Sequence, residues 1–354
     1  MIFYLTTKDF TNPMRSFLYT WGKNLSKRIT ILTYQQAFRK RRFPAGTYIF
    51  SDIERLTPIE SEKAAQIHQV LHSRWGSRIL MLNHPTRSMR RFELLRTLNR
   101  VGINIHNAYR LIEGGLPEKY PVFLRGADDH KGASSGLIDS RDKLEREIEA
   151  FIRSGKSRED KIIVEFNDTA DETGLYRKYS AFFIDGTIIP RHICFSWDWQ
   201  VKLPDVSSRE AIREEVRFIH SNSHAEQLAK IFDAARIHYG RIDYGLRDGR
   251  IQVWEINTNP RLASFVSSEN PERHDAQVLF TRLLRQAFER IDRRSEAIDG
   301  FVENPLFKLM VKQSIVRGAK TIGERIIYSL PLADHHKVAM RSVFVGMKSR
   351  FLSR

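Results

Sequence analysis

A chain of 354 residues with 41% hydrophobic residues is long for one core and suits two or three globular domains. Its one cysteine, Cys194, excludes an intrachain disulfide; the opening Met1–Leu5 run is too short for a signal-peptide core, and no run reaches the ~18 apolar residues of a membrane span. The net charge of +16 sits at the ends: residues 1–50 hold nine basic side chains and one acid, residues 300–354 ten and three, and the middle is nearly neutral.

The expected setting is therefore soluble and cytoplasmic, peripheral to a membrane if the basic ends bind lipid. Arg39-Lys40-Arg41-Arg42 is the densest cationic run. Such ends suit a membrane surface or an acidic partner or polymer, with nucleic acid disfavoured; the plainer reading is a solvated surface that aids solubility.

In chain order, residues 1–7, 28–34 and 47–53 read as short strands, and 60–73 as a helix with Ala64, Ile67 and Leu71 on one stripe. This alternation predicts a small α/β domain with a parallel sheet over residues 1–79. No Gly-x-Gly-x-x-Gly follows the first strand, so dinucleotide binding is not expected there. A strand ending near Asn83, a basic amphipathic helix over 88–101 and a strand over 120–125 come next. Gly126 to Gly136 then form a loop rich in Gly and Ser. A strand ending in Arg125 and followed by such a loop can approach phosphate oxygens through its backbone N–H groups; Arg125, Lys131, Gly132, Ser134 and Ser135 are the candidates. A helix over 141–153, an apolar strand over 161–166, and two strands over 176–183 and 187–194 flanking Asp185-Gly186 follow. Helices are expected over 208–220, 225–237 and 277–291, and a basic, helical extension from about 299 to 354.

Between the second and third of those helices lies the most informative stretch, Gly240 to Pro260. Two runs rich in β-branched and aromatic residues flank Asp248-Gly249, a hairpin signal. Asp243, Glu255 and Asn257 carry oxygen ligands on those runs. Glu255 and Asn257 share a face by alternation. Asp243 joins them if the loop has an odd number of residues, such as Arg247 to Gly249; a two-residue loop sends it to the opposite face. In the odd register, two carboxylates and an amide oxygen suit Mg²⁺.

This segment resembles the C-terminal signature of the ATP-grasp superfamily, as in D-alanine–D-alanine ligases and glutathione synthetases. There an Arg-x-Asp strand precedes Glu-x-Asn by about a dozen residues. Here Arg241 and Asp243 match the first element, and Glu255 and Asn257, twelve residues beyond Asp243, match the second. The resemblance covers roughly residues 80–295. It implies an α/β (α+β) fold in which two α+β subdomains clasp ATP behind a small Rossmann-like domain. The ATP-grasp domain would span 80–298, with a lid at about 110–164 and a metal-bearing part at about 165–298. It also implies the odd loop.

The carried-over roles are as follows. ATP binds with Mg²⁺, expected as two ions with Mn²⁺ able to substitute, held by Asp243, Glu255 and Asn257. Arg125 stands where the family usually has a phosphate-binding lysine. Glu165 and Phe166 fall at the adenine hinge. Asp168, Asp171 and Glu172 are alternative ribose ligands. Ser180 falls where an arginine commonly touches the transferring phosphate, and Lys178, on the same strand face, is the expected replacement. His192 is a candidate on the substrate side. Arg241 matches the arginine that stabilises the oxyanion of the acyl-transfer step. The implied activity is an ADP-forming ligase that joins a carboxylate to an amine or thiol through an acylphosphate. A kinase on the same scaffold, or a protein that binds an anionic polymer or membrane through its basic ends, is the alternative.

Overall fold

The computed structural model describes residues 1–129, 132–155, 157–201, 204–262, 270–293 and 298–309. Most of the expected basic extension, including 342–352, and the candidate Lys131 lie outside these residues.

Strands β1 (Ile2–Thr6), β2 (Ile29–Thr33), β4 (Thr47–Phe50) and β5 (Met81–Leu82) form a parallel sheet in the order β2-β1-β4-β5. Helices α1 (Asn12–Tyr19), α2 (Tyr34–Arg39) and α3 (Pro58–Trp75) accompany it. Thr57 and Glu60 close a capping box at the start of α3, satisfying N–H groups the first turn leaves free. The sheet takes β5 as its fourth strand, so it runs past the expected boundary at 79. Strand β3 (Arg42–Pro44), which carries part of the basic run, pairs with β13 (Phe301–Glu303). The extension expected to be helical from about 299 therefore begins as a strand docked on this domain, and among its described residues 305–309 turn helical.

After α4 (Arg91–Arg100), strands β6 (Ala108–Arg110), β7 (Val122–Gly126) and β8 (Lys161–Glu165) form an antiparallel sheet, with α5 (Arg141–Arg153) between β7 and β8 in the chain. The last sheet has the order β10-β9-β11-β12, from β9 (Tyr176–Ile184), β10 (Thr187–Ser196), β11 (Tyr239–Arg247) and β12 (Arg250–Asn257). Helices α6 (Arg209–Ser221), α7 (Ala225–Ala235) and α8 (Pro271–Arg293) complete the fold. This is the α/β architecture expected from the sequence: a small parallel-sheet domain followed by two α+β subdomains.

Strand β9 shows how one sequence serves two faces. Tyr179, Ala181 and Phe183 pack in one core with residues of α6 and α7. Phe182 and Ile184 pack in a second core with Ile2 and Tyr4 of the parallel sheet and with Phe280 and Phe288 of α8. Lys178 and Ser180, further toward the start of the strand on that second face, lie beyond this packing, and Lys178 faces a cleft.

One histidine is buried beneath that cleft. His106 is 2% exposed, its ring 5.1 Å from that of Trp254. Burial holds its pKa down to about 4. A folded-state value below the ordinary 6.5 means that the unfolded chain takes up the proton first. The stability contribution is complete above pH 6.5 and lost as pH falls toward 4, amounting to about 3 kcal/mol at most. Urea unfolding at pH 7 and pH 4.5 should show this loss, and His106→Gln should reduce the pH slope. An unchanged slope in the variant would remove His106 from the account.

Candidate active site

The cleft has a volume of about 440 Å³, within the range that encloses small-molecule ligands. Its walls come from the sheets β6-β8-β7 and β10-β9-β11-β12. The hairpin β11–β12 supplies its polar wall, and the register there differs from expectation. Asp248 and Gly249 both have positive φ (51° and 71°), and Arg247 pairs with Arg250, so the loop has two residues rather than an odd number. The odd residue is in the strand: Tyr244 pairs with Val253 but Asp243 with Glu255, leaving Trp254 as the extra residue of a β-bulge. A two-residue loop alone would have put Asp243 on the wrong face. The bulge restores it, and Trp254, Glu255, Asn257 and Asp243 all line the cleft.

Arginines hold both carboxylates. Asp243, 5% exposed, accepts from Arg241 Nε and Nη2, both at 2.9 Å, and from Ser180 Oγ at 2.8 Å. Burial opposes the Arg241 charge, but the Asp243 carboxylate outweighs it and raises the pKa of the guanidinium. Glu255 pairs with Arg91 and, at 3.3 Å, with Arg125. Burial, with the Arg91 charge second, lowers Arg125 to about 10. Arg91, which holds Glu255 in place, is one residue the sequence reading missed. It is 6% exposed, and its Nη1 donates to the carbonyls of Gly126, Ala127 and Asp129 at 2.8–3.0 Å. The available signal was an arginine pair at the start of an amphipathic helix, which reads equally well as surface.

The donor set fits Mg²⁺. Asp243 and Glu255 are cross-strand partners, and Asn257, whose Oδ1 accepts from the Asn259 N–H at 2.8 Å, keeps a second lone pair. Mg²⁺ takes one or two protein carboxylates and fills its shell with phosphate and water. Among the described residues no group of three or more His, Cys, Asp or Glu side chains comes together to hold a metal, so a site here uses two carboxylates and the amide.

The opposite wall is aromatic. Trp199, absent from the sequence reading, packs against Phe123 and Phe166 with ring centroids 4.9 and 5.6 Å apart. Phe166 thus lines the cleft, but Glu165 does not. Its carboxylate turns inward to accept from the Asn107 N–H and the Tyr109 hydroxyl, both at 2.9 Å. Alternation at the end of β8 separates the two neighbours.

Gly132 and Ala133, in the loop after β7, line the cleft. Ser134 and Ser135 fold back instead. The Ser134 hydroxyl donates to the Leu124 carbonyl, and the Ser135 hydroxyl accepts from the Leu124 N–H, so both serve to pin the loop to β7. Lys178 lines the cleft while its ammonium donates to the Val201 carbonyl. Of the ribose candidates, Asp171 is bound to Arg177 at 2.6 Å, Glu172 is exposed in the same turn, and Asp168 is exposed beside Tyr176, a cleft residue. Burial and the Asp168 bond raise Tyr176 to about 12.

No family model matches the chain, and no curated protein does. The chain is similar to the solved D-alanine–D-alanine ligase of Bacillus anthracis, with 16% identity over 84% of this chain and 99% of that one and a TM-score of 0.46. The same ligase complexed with ATP gives 13% identity, 83% and 99% coverage and a TM-score of 0.43. A RimK domain ATP-grasp protein from Sphaerobacter thermophilus gives 13%, 79% and 97%, and 0.42. The resemblance of the chain to the ATP-grasp superfamily rests on its hairpin residues Arg241, Asp243, Glu255 and Asn257.

Proposed function

We propose that the chain is an ATP-dependent, Mg²⁺-dependent ligase of the ATP-grasp type that joins a carboxylate to an amine or thiol and releases ADP and phosphate. The observation that carries this reading is the Trp254 bulge. It sets Asp243 opposite Glu255 in a cleft flanked by Arg125 and Arg241. The base would lie between the aromatic side chains of the lid side, with the phosphates toward Arg125 and the Gly132 loop. Asp243, Glu255 and Asn257 would hold the metal, which when bound offsets charge on the phosphates. An acceptor carboxylate oxygen attacks the γ-phosphorus and ADP leaves, giving an acylphosphate. The amine or thiol then attacks the acyl carbon and phosphate leaves. Arg241, already aimed along the metal-bearing face, would stabilise the oxyanion of that second step.

Glu255→Gln tests the reading better than a truncation, because a truncation exposes Arg91 and Arg125 directly to the nucleotide phosphates. By calorimetry, the intact chain should bind ATP at micromolar concentration with Mg²⁺ and at least tenfold more weakly without it. The glutamine variant should lose that difference while retaining metal-independent binding. Binding indifferent to both Mg²⁺ and Glu255 would sink the proposal. Release of phosphate only when an amine or thiol is present favours the ligase; a stable phosphorylated acid would make it a kinase.

A further inference from the structure

Arg191 is the extra residue of a second bulge. On β10, Pro190 pairs with Ala181 and His192 with Ser180, which leaves Arg191 with no cross-strand partner. Its guanidinium lies 4.5 Å from the centre of the Phe280 ring and donates to the Gln277 side-chain oxygen. These contacts orient the group without neutralising it. Among the described residues no carboxylate forms an ion pair with it. Glu215, the acid whose charge reaches it, is already bound by Arg273 at 2.6 Å. The surroundings are cationic: Arg241 acts on Arg191, and Arg191, Arg241, Lys178 and Arg273 all act on His192. Burial and this crowding lower Arg191 to about 10 and His192 well below its ordinary value.

The bulge also lies at the end of a chemical row. His192, Ser180, Asp243 and Glu255 are successive partners across β10, β9, β11 and β12. With strands ~4.8 Å apart, β10 runs about 10 Å from β11, close enough that the Arg241 charge acts on Arg191. A partly buried guanidinium among other cations is unfavourable unless an anion meets it. An apolar residue at this point of β10 would pack on Phe280 without that cost.

We infer that the acceptor carries an oxyanion group, carboxylate or phosphate, besides the carboxylate that reacts, and that Arg191 receives it. The inference rests on the ligase reading for which carboxylate reacts; the anion site itself stands on the geometry of β10.

The test titrates the intact chain with butyrate, glutarate and 3-phosphonopropionate by calorimetry, and with Mg²⁺-ATP in parallel. Glutarate or 3-phosphonopropionate should bind at least tenfold more tightly than butyrate, and the better of the two identifies the oxyanion. Arg191→Gln should abolish the advantage with ATP binding retained. Arg191→Lys and Gln277→Ala, which loosen the guanidinium rather than delete it, should reduce it. Equal binding of the three acids, or an advantage that survives in Arg191→Gln, would overturn the inference. Loss of ATP binding with the anion preference intact would instead count against the ligase reading alone.

Discussion

Asp243→Asn should lower ATP-dependent turnover about a thousandfold while the protein stays folded and still binds nucleotide. The carboxylate is acceptor to three bonds, two from Arg241 and one from Ser180. An asparagine oxygen in the place of Oδ1 can keep the Ser180 and Arg241 Nε bonds, but its amide nitrogen cannot accept from Arg241 Nη2. One substitution therefore removes an oxygen proposed to hold the metal and loosens the arginine proposed to meet the developing oxyanion. Removing a single oxyanion donor elsewhere costs roughly 10²–10³ in rate, and loss of a metal oxygen adds to that. Binding should suffer less, because the variant leaves Arg241 more positive in a cleft proposed to receive phosphate. ADP release measured beside calorimetric ATP affinity separates the two. A turnover within tenfold of the parent would mean that Asp243 only braces Arg241 and Ser180.

The hairpin shows what the sequence made legible and where it stopped. The residue types and their spacing of twelve put Asp243, Glu255 and Asn257 on one face, as they lie, but the odd residue this needs was expected in the turn. Parity cannot say whether that residue sits in the turn or in the strand, and Asp248-Gly249 formed the two-residue turn it favours. Trp254 took the bulge, a position with no glycine to announce it. Elements with strong periodicity, such as α3 and β8, fell close to their expected ranges. The short strands β3, β6 and β13 were missed because three residues carry no period. Within the site, the errors share a cause: Glu165, Ser134 and Ser135 are polar groups claimed by nearby backbone or a tyrosine hydroxyl. Arg91 is the converse case, since its partners Gly126 and Glu255 stand 35 and 164 residues away.

Arg91 also carries the largest expected effect on stability. Arg91→Met keeps much of the volume and removes every donor. The carbonyls of Gly126, Ala127 and Asp129 would lose the guanidinium, and Glu255 would keep only the 3.3 Å contact to Arg125 among the pairs described above. Each buried acceptor left unmet costs about 1–3 kcal/mol, but the four losses share one site and do not add. Removal of one partner from a buried ion pair typically costs about 3–5 kcal/mol, and that is the loss expected in urea unfolding. Arg91→Lys should lose less, since an ammonium can still reach one or two of the acceptors but cannot span the set as a planar fork does. The distribution of the loss matters more than its size. Arg91 ties the end of β7 and the start of the loop after it to β12, while the parallel sheet β2-β1-β4-β5 has a core of its own on one face. Amide exchange in the variant should therefore accelerate at residues 122–129 and 250–257 well before it does in β1 and β4. A loss below about 1 kcal/mol, or exchange that rises evenly across all sheets, would show that Arg91 is not the link between the loop after β7 and the hairpin β11–β12.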